Sequence, residues 1–421
     1  MKYPYIILFF LFFIPIVLPY FGTIDIIAPQ WLYLGWFNFF VFIFFFKSKI
    51  SVIKSSIFYI FLLFILQVLL SLFYTKNLNV SIVDSSRFLI ILFSIYNIYN
   101  ILLKGNFSFK SLSFIISFFL IVELIYSFLP LFTFFLNNDI SVYNQFSTVY
   151  KDSFFIGFSG NKNITAASIA IKFPFLFYLL YDTKNKFTFT IISFFSFLIC
   201  CLLLLLKSRS VFVSFSFVLF IFIVFSIYLN KLRFLWILPI LSLSYIFVSL
   251  LITQNSNPVL NDIKSINFSA ASSSDRFLLW DNAFSYILDH PIIGCGIGNW
   301  KIESLPYWST HLSDYIVPYH AHNDFLEITT ELGIFGGLTY FIFFVLIFIS
   351  LASLLFFYKS CPEKFFQVTV LFTSFSVYII DALLNFPFER PRMQIVLVVL
   401  VSLTILFYKR KKISWEYFLS F

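Results

Sequence analysis

Residues 188–229 read TFTIISFFSFLICCLLLLLKSRSVFVSFSFVLFIFIVFSIYL. Two apolar runs, 188–206 and 210–229, flank a short polar turn in which Lys207 and Arg209 carry the only charges. Each run is about long enough to cross a bilayer as a helix. A spanning segment must satisfy its own backbone, so it is a helix or a strand of a closed barrel. These runs are continuous rather than alternating, which selects helices.

The rest of the chain repeats the pattern. Of its 421 residues, 61% are hydrophobic and 11% charged, against roughly a quarter charged in a soluble domain. Apolar runs broken by charged or turn residues predict about twelve spans. Their limits are 4–21, 30–46, 56–74, 86–103, 111–136, 164–181, 188–206, 210–229, 234–252, 333–358, 365–384 and 393–408. The fourth is interrupted by Asn97 and Asn100. The expected fold is an all-α polytopic membrane protein, one integral domain over residues 1–421 without internal repeats. The first run reads as a retained span, because Lys2 is a weak basic start and no small-residue cleavage site follows. Cys200, Cys201, Cys295 and Cys361 suggest neither a disulfide framework nor a metal site.

Basic residues orient the chain. With both termini cytoplasmic, Lys47, Lys49 and Lys54 share one inner loop. Lys104 with Lys110, Lys184 with Lys186, Lys231 with Arg233 and Lys359 with Lys364 occupy the next four, and the tail carries KRKK at 409–412. Much of the net charge of +9 is therefore topology, not a nucleic-acid surface. The longer loops, 137–163 and above all 253–332, fall outside.

The outer side also collects the polar groups. In SSSDRFLLWDNAFSYILDHP (272–291), Phe277, Trp280, Phe284, Ile287 and Leu288 form an apolar stripe at helical spacing, which suits a helix at the membrane interface. Ser274 or Asp275 would cap it, placing Arg276 in the first turn beside open N–H groups as an anion site; lipid phosphates are the plainer partner. Lys207 and Arg209 sit in a turn where Gly, Asn or Pro is usual, and either need an anionic partner or merely end two spans. YHAHNDFLEITTELGIFGG (319–337) holds two of the four histidines. His322 is a candidate general base, with Asn323 at the start of a helix; a hydrogen-bonded structural histidine is the alternative. Residues two apart diverge on a helix, which disfavours a metal on His320, His322 and Asp324. Gly333, Gly336 and Gly337 would let spans pack closely. NFPFERPR (385–392) adds Arg390 and Arg392 in a Pro-stiffened turn. GCGIG (294–298) lacks the Lys-Ser/Thr and the strand–helix context of a phosphate loop. The spans themselves look nearly free of charge, unlike a transporter's.

HNDFLEITTELGIFGG resembles the signature of the O-antigen ligase and O-antigen polymerase superfamily. SGNKNITAASIAI (159–171), KSRSVFVSF and DRFLLWDNAFSYILDHPIIGCGIGNW resemble its other blocks in order, so the similarity covers roughly residues 155–400. The resemblance implies a GT-C-like helical fold with a helical periplasmic loop in the bacterial inner membrane. It implies a glycosyltransferase without metal or cofactor that takes a glycan from undecaprenyl pyrophosphate at the periplasmic face. A ligase would pass it to lipid A–core, a polymerase to another lipid-linked unit. Carried over by residue, Arg209 and Arg276 would hold the pyrophosphate and Arg390 would assist. His322 would deprotonate the acceptor hydroxyl for inverting attack, supported by Asn323, Glu331 and Lys207. Ligase is the first expectation, with O-antigen or exopolysaccharide polymerase next. A transporter or flippase would need intramembrane polar residues, and a scaffold would leave the arginines and His322 dispensable.

Overall fold

The computed structural model describes residues 3–19, 21–23, 25–46, 51–137, 155–228, 235–252, 271–308 and 319–419. Lys47, Lys49, Lys231 and Arg233 of the inner loops, and residues 253–270 and 309–318 of the large outer loop, lie outside this set. Helices make up most of the described residues, with no strand among them: α1 (Tyr3–Phe12), α2 (Ala28–Phe46), α3 (Ser56–Leu70), α4 (Leu78–Gly105), α5 (Phe109–Asn137), α6 (Lys162–Asp182), α7 (Lys186–Leu206), α8 (Arg209–Tyr228) and α9 (Ile237–Ile252). There follow α10 (Ala271–Asp289), the short α11 (Trp300–Glu303) and α12 (Leu305–Trp308), then α13 (Asp324–Tyr358), α14 (Pro362–Leu384) and α15 (Pro391–Leu419). Among the described residues, 10 helices are long and apolar enough to cross a membrane, accompanied by shorter apolar helices at Tyr3–Val17 and Ile237–Leu250. The chain is an all-α polytopic membrane protein.

Helices α6 and α15 form the centre, buried on nearly every side. Around them pack α5, α14 and α7 against α6, and α4 and α13 against α15. The run Ala166, Ala167, Ser168 and Ala170 on α6 is fully buried; such small side chains allow the close backbone approach on which packing in lipid depends. One expectation fails in this core. Lys172 and Glu123 lie mid-span on α6 and α5, fully buried, with Nζ 2.6 Å from Oε2, and Ser168 bridges them at 2.7 and 2.8 Å. An intramembrane charge persists where a partner and hydrogen bonds offset its desolvation. The pair ties α5 to α6.

Asn97 and Asn100 do not break α4. Asn97 donates to Asn38 Oδ1 of α2 at 2.9 Å, Asn38 donates to Ser94 at 2.9 Å, and Asn100 accepts from Ser51 N–H at 3.0 Å. Such bonds between spans average about 0.6 kcal/mol each. The helix also starts earlier than residue 86, capped by Asn77, which accepts from Val80 N–H.

A second correction concerns the glycines. Helix α13 is two helices joined at Gly333, whose φ of 71° lies in the left-handed region that favours glycine. The break frees carbonyls, and the 291–296 loop takes them: Cys295 N–H donates to Thr330 O at 3.1 Å and Gly296 N–H to Glu331 O at 2.8 Å, while Ile334 N–H returns a bond to Pro291 O at 2.9 Å. A side chain at Gly294 would collide with the backbone of Thr330 and Glu331, and one at Gly333 with Ile292 O. GCGIG and the Glu-x-Gly segment are thus two halves of one backbone junction, which sets the angle at which the residues before Asp324 leave the bundle. The atoms nearest Gly336 and Gly337 are the side chains of Leu332 and Thr329 across the break.

Candidate active site

Helix α13 begins with Asn323, whose side chain accepts from the N–H groups of Phe325 (3.0 Å) and Leu326 (3.2 Å). This N-cap satisfies donors the helix cannot reach. His322 precedes it with φ 52°, a left-handed conformation uncommon for a side-chain-bearing residue and frequent at functional turns. The preceding backbone is pinned by Glu327, which accepts from Ala321 N–H at 2.8 Å.

Opposite lies the 385–392 turn, a 3-10 segment Pro387–Glu389 leading into Pro391 at the start of α15. Asp324 joins the two by accepting from Phe388 N–H at 3.2 Å. Phe386 is the hub. The His320 ring stacks on it at 4.0 Å and 17°, the His322 ring meets it edge-on at 5.1 Å and 81°, and the Arg390 guanidinium lies over it at 4.5 Å.

The two histidines have opposite electrostatics. His320 Nδ1 is 2.8 Å from Glu327 and its Nε2 is 3.3 Å from Glu389. Burial alone would lower its pKa, but the two carboxylates overcome that and raise it to about 10. Both nitrogens then carry protons, as two acceptors require. Glu389 is in turn held down at about 2: burial opposes this, but His320, Arg87 and Arg390 prevail. His322 is lowered to about 4 by burial first, then by Arg276, His320 and Arg390, partly offset by Asn385 beside it. Its Nδ1 has no hydrogen-bond partner among the described residues. At neutral pH the site therefore holds a cationic, locked His320 and a neutral, available His322.

His322, Asp381, Asn385, Arg390, Met393 and Asn163 line an open cleft of about 390 Å³, solvent included. Arg276 and Arg209 stand beside it. Arg276 Nη2 is 3.4 Å from Asn385 Oδ1, and Asn385 donates to Ser210 (3.0 Å) and Asp381 (2.6 Å), so one carboxamide joins α8, α10 and α14. The pKa of Arg276 is lowered by burial and then by the charge of Arg209; that of Arg390 is lowered by burial. With Arg390 in the lining, Arg276 and Arg209 beside it and Asp381 as the single lining carboxylate, the cleft is cationic, a chemistry suited to anions.

Residues 194–341 match a family described as O-antigen ligase. The match runs from α7 through the Lys-Ser-Arg turn and α10 to the Gly333 break, so it contains Arg209, Arg276 and His322. Over this stretch, about a third of the chain, the protein is similar to the O-antigen ligase family. No curated protein matches it. Arg390 and Asn385 lie beyond the matched stretch, and only the fold places them in the cleft.

Some expectations need revision. Helix α10 already begins at Ala271, so Arg276 lies in its second turn and acts through its guanidinium, not beside open N–H groups. The apolar stripe is half right: Phe277, Phe284 and Leu288 are exposed, while Leu279, Ala283 and Tyr286 are buried against the protein. Glu331 is apart from the cleft and accepts from Trp300 N–H at 3.2 Å, holding the glycine loop. Lys207 takes a left-handed φ of 49° at the end of α7, which makes the tight turn. Arg392 is buried with its guanidinium over Phe158 at 5.6 Å. Asn385, Asp381, Phe386 and Asn163 were missed as site residues, although Asn385 and Phe386 stand in the same Pro-rich turn as Arg390.

Proposed function

We propose that this protein is an inverting glycosyltransferase of the O-antigen ligase type. It moves a glycan from undecaprenyl pyrophosphate to a hydroxyl of lipid A–core at the periplasmic face of the inner membrane, with both termini cytoplasmic. The observation that carries this reading is a neutral imidazole whose Nδ1 has no hydrogen-bond partner among the described residues, set in an open cleft lined by Arg390 with Arg276 and Arg209 beside it.

In the proposed step, His322 takes the proton of the acceptor hydroxyl as its oxygen attacks the anomeric carbon. The bond from that carbon to the pyrophosphate oxygen breaks, and the electron pair leaves with the pyrophosphate. Arg209, Arg276 and Arg390 hold the donor and stabilise the charge that gathers on the leaving group, a role otherwise filled by a divalent cation. Arg276 and Arg390 also depress the pKa of His322 when the cleft is empty. A bound pyrophosphate neutralises them, so His322 becomes a stronger base once the donor is seated. A polymerase reaction, with a second lipid-linked glycan as acceptor, uses the same chemistry and is the second reading.

The test is deletion of the gene, complementation with wild type, His322→Ala or Arg276→Ala, and gel analysis of surface glycans. Loss of all long-chain lipopolysaccharide with polymer left on the carrier means a ligase. A core bearing one repeat unit means a polymerase. Full complementation by both variants removes the catalytic assignment.

A further inference from the structure

A larger cleft lies at the opposite end of the bundle from His322. It encloses about 1620 Å³, open solvent included, between the start of α3 and the far ends of α4, α13 and α15. One wall is apolar, formed by Ile57, Leu346 and Ile405, whereas the mouth carries Lys54 and Lys409 with the hydroxyl-bearing Ser55 and Ser350. No carboxylate lines it, and among the described residues neither lysine has an acidic partner. Ser55, at the N-cap of α3, makes no side-chain cap bond, so among the described residues the first-turn N–H groups of that helix also lack a side-chain acceptor.

The combination selects one kind of ligand. Two unpaired cations and open N–H donors call for an anion. The apolar wall beside them, between the ends of helices long and apolar enough to cross a membrane, calls for a hydrocarbon chain on the same molecule. A soluble phosphate would leave that wall wet, and a zwitterionic lipid would bring its own cation to the lysines. Basic pockets between spans on the cytoplasmic side bind anionic head groups by this logic.

We propose that this cleft binds an anionic phospholipid of the adjacent leaflet. The phosphodiester lies between Lys54 and Lys409, and an acyl chain lies along Ile57, Leu346 and Ile405. The lipid thereby bridges α3, α13 and α15, two of which carry the active-site turns at their other ends. This inference does not rest on the glycosyltransferase reading.

The test is native mass spectrometry of the full chain, purified in detergent and titrated with phosphatidylglycerol, phosphatidylcholine or inorganic phosphate. One phosphatidylglycerol is expected to be retained per chain in preference to phosphatidylcholine, undiminished by millimolar phosphate. A lysine near the surface contributes about 1 kcal/mol, so Lys54→Ala or Lys409→Ala should weaken retention roughly five-fold and the double variant roughly 25-fold. Lys54→Arg with Lys409→Arg keeps the charges and should retain the lipid, and Lys184→Ala, a lysine outside this cleft, should behave as wild type. Equal retention of both lipids, displacement by free phosphate, or wild-type retention by the double alanine variant would each overturn the proposal.

Discussion

The niche around His320 and the cleft around His322 lie two residues apart in the chain and differ in almost every physical respect. His320 is stacked, bonded at both nitrogens and flanked by Glu327 and Glu389, and its pKa rises to about 10. His322 faces Arg276 and Arg390, leaves Nδ1 without a partner among the described residues, and falls to about 4. One ring is bonded at both nitrogens, and the other keeps Nδ1 unbonded among the described residues. The lesson is that a histidine's chemistry is set by what the fold brings against it, here Glu389 and Arg276 from elsewhere in the chain.

The largest expected effect separates the two by function. A positioned general base contributes about 10²- to 10⁴-fold, so His322→Ala should cut transfer by that much while leaving the melting temperature unchanged, as measured with a purified lipid-linked donor and by thermal unfolding. A large drop in melting temperature would make His322 a structural residue and dissolve the contrast. Next come the cations: Arg276→Gln should lower kcat/KM about 100-fold, the order of losing one donor to developing charge. The same change should move the acid limb of the kcat/KM profile upward from its wild-type position near pH 4, because activity needs the neutral ring and Arg276 helps keep it neutral. An acid limb that stays in place would show that the guanidinium does not act on His322.

The His320 side is tested by stability. Removing one member of a buried ion pair costs about 3 kcal/mol, so His320→Gln should unfold at a markedly lower temperature. Its pKa is raised on folding, so its contribution is complete below about pH 6.5 and fades as pH climbs towards about 10. Wild type should therefore lose stability across that interval and His320→Gln should not; parallel curves would refute the ion-pair assignment. The smallest effect belongs to the hinge: Gly333→Ala forces a side chain into a left-handed φ, at a cost of about 1–3 kcal/mol. Its collision with Ile292 O should also detach the 291–296 loop, which amide hydrogen exchange at Cys295 and Gly296 would show.

Much of this was legible in the chain itself. Continuous apolar runs have one solution in lipid, so helices and their order followed directly. The Lys207–Arg209 turn, Asn323 as an N-cap, and His322 with Arg209 and Arg276 as the polar residues to watch were all visible by type and spacing. Asn97 and Asn100 misled because an amide reads as a span-breaker until a neighbouring helix offers a partner. Glu123 and Lys172 were overlooked because single charges in long apolar runs disclose their pairing only when α5 meets α6. Gly333, Gly336 and Gly337 were read as packing positions between spans, and the hinge at Gly333 went unseen because a positive φ cannot be read from composition.

Local rules therefore determined what each segment is: period, apolar length, capping residues and the side on which lysines accumulate all act within a few residues. The tertiary structure decided what the polar groups do. Asn385 became a bridge, Glu389 a lock for His320, and Arg390 a wall of the cleft, because burial and charge act through space over a few ångströms. In a chain folded through so many spans, neighbours in space are seldom neighbours in sequence.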